Sequence, residues 1–219
     1  MLVLYPVKQV NKRALQGRCK AYKMEFTGII YHNTDISDKS TFDKLPKELQ
    51  DFFSQVNGII AYNGGLQIRG CINEPEWISL EAIWSDLHKT YDCLTKEDIP
   101  FAQDAFGDQF IWRNGHIHRL SAEFGELEDL ELDFSSFLEK ETENPVDFLM
   151  LESFNQLYDS DIRLSPGQLM NVYPPFMFDT NDNRSFKPVP AKEQIDFLKS
   201  IYLQTKDLPD GQQMKINIE

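Results

Sequence analysis

The sequence has little cysteine and no pair of cysteines at a recognisable spacing. Its three cysteines, Cys19, Cys71 and Cys93, are far apart, and no C-x-x-C occurs. An odd number without such spacing is typical of free thiols in a reducing compartment. The first residues show no apolar core behind a basic region, and no run reaches the ~18 apolar residues of a membrane helix. We therefore expect a soluble, cytoplasmic protein.

The short motifs of several enzyme classes are also missing. There is no G-x-S-x-G, P-loop, G-x-G-x-x-G or H-E-x-x-H. Paired carboxylates are common in any acidic chain and do not indicate a glycosidase. The segment "DTNDNRS" begins like a calcium loop, with Asp179, Asn181 and Asn183 at the first, third and fifth positions. Arg184 and Pro190 then replace its glycine and its glutamate. We expect no catalytic residue, no metal and no cofactor.

Positive charge is scarce and is concentrated near the beginning of the chain. The 219 residues carry 22 Lys and Arg against 35 Asp and Glu, a net charge of -13. Residues 1–30 contain six Lys or Arg and one acid, Glu25, which is a net charge of +5. Because the whole chain carries -13, the remaining residues carry a net charge of -18, which is -13 minus +5. An acidic body repels nucleic acid and anionic membranes and attracts basic proteins. We expect neither nucleic acid nor membrane binding.

The chain is long enough to bury one core, and no internal repeat or linker divides it. We interpret residues 1–40 as a basic N-terminal extension or added strands and residues 41–219 as the main domain. For the basic start, a strand pair or cover is favoured over an arm that reads nucleic acid. The oligomeric state is left open.

Four segments have the spacing and end signals of helices. One spans 45–58, with Pro46 in its first turn, Asn57-Gly58 at its end and an apolar stripe at i, i+3, i+4 and i+7. The second spans 79–91 and begins at the cap residue Ser79. The third runs from 144 to 158, and the fourth, from 190 to 204, is opened by a proline.

Two further elements complete the prediction. A short helix after residue 134 is predicted to start from Ser135 or Ser136, with Glu139 completing a capping box. The alternating residues 214–218 predict a final strand. Because helices and strands mix without a strict βαβ order, the fold class is α+β, a single domain with a mostly antiparallel sheet and packed helices.

A hairpin is predicted within "IPFAQDAFGDQFIWRNGHIHRL", residues 99–120. Asn114-Gly115 between two strand-like runs favours a two-residue type I′ turn. That turn pairs Arg113 with His116 and places His118 on the same face as His116. H-x-H on one strand face is a metal-ligand spacing, but an arginine beside the first histidine repels a cation. We therefore favour a structural hairpin over a metal site.

The most informative surface is the acidic run that follows the hairpin. Five acids crowd residues 126–133 and are interleaved with three leucines. One interpretation is a solvated outer face with leucines turned inward, and the other is a docking patch for a basic protein; the two are compatible. The candidate partner-binding residues are Glu126, Glu128, Asp129, Glu131 and Asp133.

Several segments together resemble the SUKH superfamily, a group that contains a fungal cell-wall assembly regulator and many bacterial immunity proteins. The resemblance covers residues 42–140 well and 144–219 more loosely, and it rests on the order and spacing of "FDKLPKELQDFFSQVNGI", "EWISLEAIW", the segment 99–120 and "SSFLEKE". The matching and signature positions are Pro46, Gly58, Ile99, Pro100, Phe101, Ala102, Asp104, Gly107, Asp108, Trp112, Asn114 and Gly115.

The resemblance implies an α+β fold and a binding function, with these signature residues in structural roles. Bacterial members typically neutralise a cognate toxin, often a nuclease, delivered between competing cells. We therefore expect an intracellular immunity protein of a contact-dependent or type VI-type system that binds a basic toxin domain. The alternative is a regulatory or scaffold binding module of the same fold.

Overall fold

A computed structural model describes residue 22, residues 25–179 and 184–209, and residue 211. Its centre is a seven-stranded antiparallel sheet in which each strand pairs with the next along the chain. The strands of this sheet are β1 (Tyr31–His32), β2 (Ile59–Ala61), β3 (Leu66–Ile68), β4 (Ile99–Asp104), β5 (Gln109–Arg113), β6 (His116–Ser121) and β7 (Glu126–Asp133). Helices accompany this sheet, so the predicted single-domain α+β fold is confirmed.

The remaining strands form a separate two-stranded ribbon, β8 (Gln168–Tyr173) with β9 (Ser185–Pro190). The helices are α1 (Lys39–Lys44), α2 (Lys47–Phe53), α3 (Leu80–Trp84), α4 (Phe134–Glu143), α5 (Pro145–Phe148), α6 (Glu152–Asp159) and α7 (Ala191–Thr205). None of these described helices is long and apolar enough to cross a membrane.

The predicted hairpin and its register are confirmed. Asn114 and Gly115 have φ of 51° and 89°, as a type I′ turn requires. Arg113 lies opposite His116, and the pairing continues without a slip to the far end of β5. This turn therefore sets which side chains of β5 and β6 share a face.

The first predicted helix is correct in place but not in its ends. Pro46 occupies the N-cap position and not the first turn, and α2 stops at Phe53, four residues before Asn57. The Asn57 side chain instead donates to the carbonyl of Asp35 and accepts from the amide of Cys71. Those contacts hold the chain in a loop, which ends the helix early.

The helix predicted from 79 to 91 is also shorter than expected. Ser79 stands at the N-cap of α3, but its side chain makes no capping hydrogen bond. The helix ends at Trp84, and the chain continues into a 3₁₀ turn over Leu87–Lys89. His88 is half-buried there, with Nδ1 3.3 Å from the carbonyl oxygen of Trp84.

The helix cap predicted at Ser135 or Ser136 is wrong. Asp133 is the N-cap of α4, and its carboxylate accepts from the amide of Ser136 at 2.7 Å. An aspartate serves this position at least as well as serine. Asp133 is therefore both the last residue of the acidic run and the N-cap of α4.

The segment predicted as one helix from 144 to 158 is two helices, α5 and α6. Asn144 and Pro145 stand at the predicted start, but the chain breaks around Met150, whose φ is 54°. Leu149 and Leu151 on either side are both buried. Residues i and i+2 of a continuous helix do not lie on the same face, so the break allows both leucines to be buried. The helix predicted after Pro190 is confirmed as α7.

Both faces of the sheet are covered. One face packs against α2 and α4 through an aromatic cluster that includes Phe52, Phe101 and Phe134. On the other face, Ile111 and Leu120 pack with Leu198 and Tyr202 of α7. The sheet is therefore a layer between two sets of elements.

Three predicted features lie outside the described residues. These are the strand at 214–218, the central residues of the "DTNDNRS" loop and most of the basic start. Of residues 1–40, those described belong to the same fold, because Phe26 and Ile36 pack against the main core and β1 is the first strand of the sheet.

Candidate functional site

The acidic run forms β7, the last strand of the seven-stranded sheet. All five of its carboxylate residues are exposed, whereas Leu132 is buried and Leu127 and Leu130 are half-buried against the two cores. Because these two cores lie on opposite faces of the sheet, the leucines of β7 reach both faces, and its carboxylates are exposed on either side of this edge strand, with Glu128 beside Arg119 and Asp129 beside His118. The exposed carboxylate residues are Glu126, Glu128, Asp129, Glu131 and Asp133.

A bulge interrupts this strand near its end. The register jumps from His118 opposite Asp129 to Ile117 opposite Leu132, which leaves Leu130 and Glu131 without partners on β6. Glu131 has φ of 55°, and its amide donates to the Asp129 carboxylate at 2.8 Å. Bulges and charged side chains both hinder the pairing of another strand to a sheet edge. The edge of β7 therefore favours partner contacts through its side chains over the pairing of a further strand.

An exposed apolar side chain lies close to the acidic strand. Glu128 is paired across the sheet with Arg119, and the Nη1 of Arg119 is 3.0 Å from the sulfur of Met150. Met150 is 67% exposed, and its φ is positive, which is unfavourable for a residue other than glycine. Carboxylates and an adaptable thioether thus meet at one surface around Arg119.

Arg119 also ties this surface to the loop between β4 and β5. Its Nη2 donates to Asp104 at 2.9 Å and to Asp108 at 3.0 Å. Asp104 is fully buried and accepts from the amides of Phe106, Gly107 and Asp108. The signature aspartates therefore make local backbone hydrogen bonds, and they also position the guanidinium beside β7.

The charge state of Asp104 is set by opposing effects. Burial and the neighbouring carboxylate of Asp108 raise the pKa of Asp104 to about 7. Arg119 and the backbone amides act in the opposite direction by stabilising the carboxylate. Asp108 in turn accepts from the amide of Ala122 at 2.9 Å. The cluster thus joins the β4–β5 loop to the turn before β7.

A groove of about 780 Å³ lies on the α7 side of β7. Its wall includes His118, whose Nε2 is 3.8 Å from a carboxylate oxygen of Asp129. Arg113 also lines it, but its guanidinium is paired with the buried Asp98 through two contacts of 2.6 Å. The predicted repulsion of cations by Arg113 is therefore largely offset by a carboxylate that the sequence argument did not include.

The groove shows little sign of nucleophilic or metal chemistry. Burial raises the pKa of the Cys93 thiol, which disfavours a reactive thiolate. Among the residues that the structure describes, no group of three His, Cys, Asp or Glu side chains could hold a metal ion.

The other signature residues have structural surroundings. Phe101 lies in the main core, and the carbonyl of Pro100 accepts from the buried Arg69 at 2.8 Å. Trp112 is half-buried and donates to Glu48 at 3.3 Å. A side chain at Gly107 would lie 2.6 Å from Leu198 of α7, so this glycine allows α7 to approach the sheet.

One notable feature was not found from the sequence. Arg69 is fully buried, and its Nη2 donates to Gln103 and Gln109 at 2.6 Å each; among the described residues no carboxylate forms an ion pair with it. Burial lowers the pKa of Arg69 to about 9. The available signal in the sequence was the position of the polar residues in the strand segments "LQIRG", "FAQD" and "GDQF". Strand alternation places Gln67 and Arg69 on the same face of the sheet.

Comparisons with known proteins give a fold and no function. No family model and no curated protein matches the chain. A crystal structure of Atu4351 from Agrobacterium tumefaciens is similar, with a TM-score of 0.50 and 14% identity over 75% of this chain and 81% of that one. At this identity the likeness shows a shared fold, and the resemblance to the SUKH superfamily stays a prediction.

Proposed function

We propose that this chain is an immunity-type binding protein that neutralises a basic toxin domain, such as a nuclease, through the outer surface of β7. One observation carries the proposal: five exposed carboxylates lie along the edge strand β7, whose leucines pack against the cores on the two faces of the sheet. A nuclease that binds a polyanion presents a basic surface. Complementary charge then favours fast and selective association.

The surroundings of β7 support recognition by side chains. The bulge at Leu130 and Glu131 hinders strand addition, so carboxylates and not backbone groups would make the contacts. Met150 supplies a polarizable apolar group beside Glu128, and apolar anchors within a charged rim are typical of protein interfaces. The proposal assigns no catalytic residue, metal or cofactor to this chain.

The test uses as partner the product of an adjacent gene that encodes a basic toxin domain, the gene arrangement that the immunity proposal expects. Co-production should yield a complex and should protect growth of cells that make the toxin. Replacing Glu126, Glu128 and Glu131 by lysine should slow association by about tenfold at low salt and flatten its salt dependence. A control that reverses three exposed acids elsewhere has the same net charge. The control residues are Glu97, Asp159 and Glu193.

The outcomes separate the candidate functions. Absence of both binding and protection contradicts the immunity proposal. Binding without protection favours the regulatory or scaffold module. If both triple variants slow association equally, overall charge and not β7 guides the partner, and the proposed surface is wrong.

A further inference from the structure

We propose that a basic protein partner docks large apolar side chains on an exposed aromatic corner beside the start of β7. The corner consists of Phe124, Tyr173 and Phe176. This inference rests on the proposed function, because it names the apolar anchor that such a partner would use. The carboxylates of β7 would then speed association, and the corner would slow dissociation.

Three aromatic side chains are exposed at the corner. Phe124, in the turn between β6 and β7, is 48% exposed. Tyr173, the last residue of β8, is 44% exposed, and Phe176, in the loop that follows, is 43% exposed. Single exposed apolar residues are ordinary on a protein surface, whereas contiguous ones mark interaction sites.

Hydrogen bonds of Glu123 bring the turn and the loop together. Its carboxylate accepts from the amide of Phe176 at 3.1 Å and from the amide of Met177 at 2.8 Å. Phe124 is the next residue after Glu123, and Tyr173 lies three residues before Phe176. The corner is therefore assembled from two distant segments of the chain.

The loop that presents Phe176 is held from several sides. Arg184 donates to the carbonyls of Phe176 at 3.3 Å and Phe178 at 2.8 Å, and its guanidinium lies 5.5 Å from the Phe176 ring. Phe106 contacts the same ring in an edge arrangement with centroids 5.3 Å apart. Glu123, which binds the loop amides, is buried, and burying a charge is costly unless hydrogen bonds offset it. A surface that is fixed in this way loses little conformational entropy when a partner binds.

Acidic residues lie beside these aromatic residues and favour a basic occupant. Glu126 follows Phe124 by two residues, and Asp179 follows Phe176 by three; both acids are exposed. Arg184 adds a positive charge, but its guanidinium already donates to the loop carbonyls. An apolar centre within a charged rim is the usual arrangement of a binding hot spot. A second copy of this chain, with a net charge of -13, would bring like charges against the same rim, so a basic protein fits better.

The corner continues towards Met150, so one partner can cover both. Met150 contacts Arg119, and Arg119 donates to Asp104. Asp104 accepts from the amide of Phe106, whose ring contacts that of Phe176. A protein interface of ordinary size covers about 800 Å² on each partner. The exposed thioether and the aromatic corner would therefore lie within one interface.

Dissociation kinetics of the complex with the basic toxin domain test the corner. Replacing Phe124 and Phe176 together by alanine should speed dissociation about thirtyfold, whereas the triple lysine variant of β7 should mainly slow association. Phe124→Ala alone, a substitution in an exposed turn, should speed dissociation about tenfold and guards against a folding defect of the double variant. Ile29→Ala is the control, because Ile29 is 50% exposed just before β1, at the opposite edge of the sheet. Unchanged dissociation in both corner variants overturns the proposal.

A probe without the toxin domain gives an independent test. Two lysine-rich peptides of equal charge are added to the isotope-labelled full chain, one with leucine and tryptophan at the remaining positions and one with serine there. The apolar peptide should shift the amide signals of residues 123–125 and 176–178, and the serine peptide should not. Equal shifts from the two peptides, or none, overturn the corner. Shifts of these signals when the concentration of the chain alone is raised show contact between copies and also overturn it.

The failure of this inference and that of the proposed function are distinguishable. A toxin domain that does not bind contradicts the proposed function, and the peptide experiment then decides the corner by itself. A toxin domain that binds with unchanged dissociation from the corner variants leaves the proposed function standing and overturns the corner as its anchor.

Discussion

At the scale of the residue, Glu141 is a buried acid with no basic partner in the part of the chain that the structure describes. It is fully buried on α4, and its carboxylate accepts from the hydroxyl of Thr142 at 3.3 Å. Burial raises the pKa of Glu141 to about 7. The folded protein therefore holds a proton that the unfolded chain releases near its ordinary pKa of about 4.5.

We predict that this residue weakens the fold as the pH rises. Because the pKa of Glu141 is higher in the folded state than in the unfolded chain, protonation favours the folded state. This stabilisation is fully present below about pH 4.5 and is lost as the pH rises through about 7. Glu141→Gln should leave the free energy of unfolding nearly unchanged at pH 4 and raise it at pH 8, by up to ~3 kcal/mol. Urea unfolding at both pH values measures this, with the exposed Glu139→Gln as control. A pH-independent difference would contradict it.

Two glycines of the hairpin region differ in what surrounds them. Gly107 and Gly115 both have positive φ, but a side chain at Gly107 would meet Leu198 at 2.6 Å, whereas nothing lies within 4 Å at Gly115. Gly115→Ala should cost about 1–2 kcal/mol from backbone strain. Gly107→Ala should cost about 1–3 kcal/mol more from overpacking. Thermal and urea unfolding of the two variants would show whether α7 packs as closely as described.

At the scale of the element, the break between α5 and α6 presents a strained residue to solvent. Met150 combines a φ of 54° with 67% exposure. A non-glycine residue in this conformation costs about 1–2 kcal/mol, and such strain often marks a functional position.

We predict opposite effects of Met150→Gly on stability and binding. Relief of the backbone strain should raise the free energy of unfolding by about 1 kcal/mol, and loss of the side chain should weaken the partner complex by about tenfold. Asp161→Gly is the control, because Asp161 is exposed with φ of 65° and lies outside the proposed surface. Unchanged partner affinity in the Met150 variant would remove that residue from the interface.

At the scale of the whole molecule, the second face of the sheet makes α7 part of the domain. Tyr202 stacks on Tyr91 with ring centroids 4.8 Å apart, and Leu198 packs in the same cluster. The Glu123 carboxylate adds a link by accepting from the amides of Phe176 and Met177. The residues after the sheet are therefore held to it by both apolar and polar contacts.

We predict that α7 and the sheet unfold together. Tyr202→Ala should cost about 3–5 kcal/mol, the usual range for removing a large buried aromatic side chain. Far-ultraviolet circular dichroism and tryptophan fluorescence should still give coincident transitions. Leu203→Ala, on the exposed side of α7, should change stability by less than about 0.5 kcal/mol. Separate transitions in the Tyr202 variant would show that α7 detaches by itself.

The features that the sequence by itself determined are local ones. The register between Arg113 and His116 was predictable because Asn114-Gly115 restricts the backbone of the turn itself. The exposure of the acids on β7 and the burial of its leucines agree with the sequence interpretation, but the bulge and the covering of both faces of the sheet, which decide where each side chain points, were not predictable from alternation. The α+β class followed in the same way from the order of periodic segments.

Only the tertiary structure decided the features that depend on residues distant in the chain. The break at Met150 arises because Leu149 and Leu151 both reach the core. The pairing of Arg113 with Asp98 spans 15 residues. The contact of Tyr22 with Phe134 spans more than a hundred. Local periodicity carries no information about such partners, since burial and charge pairing are properties of the packed chain.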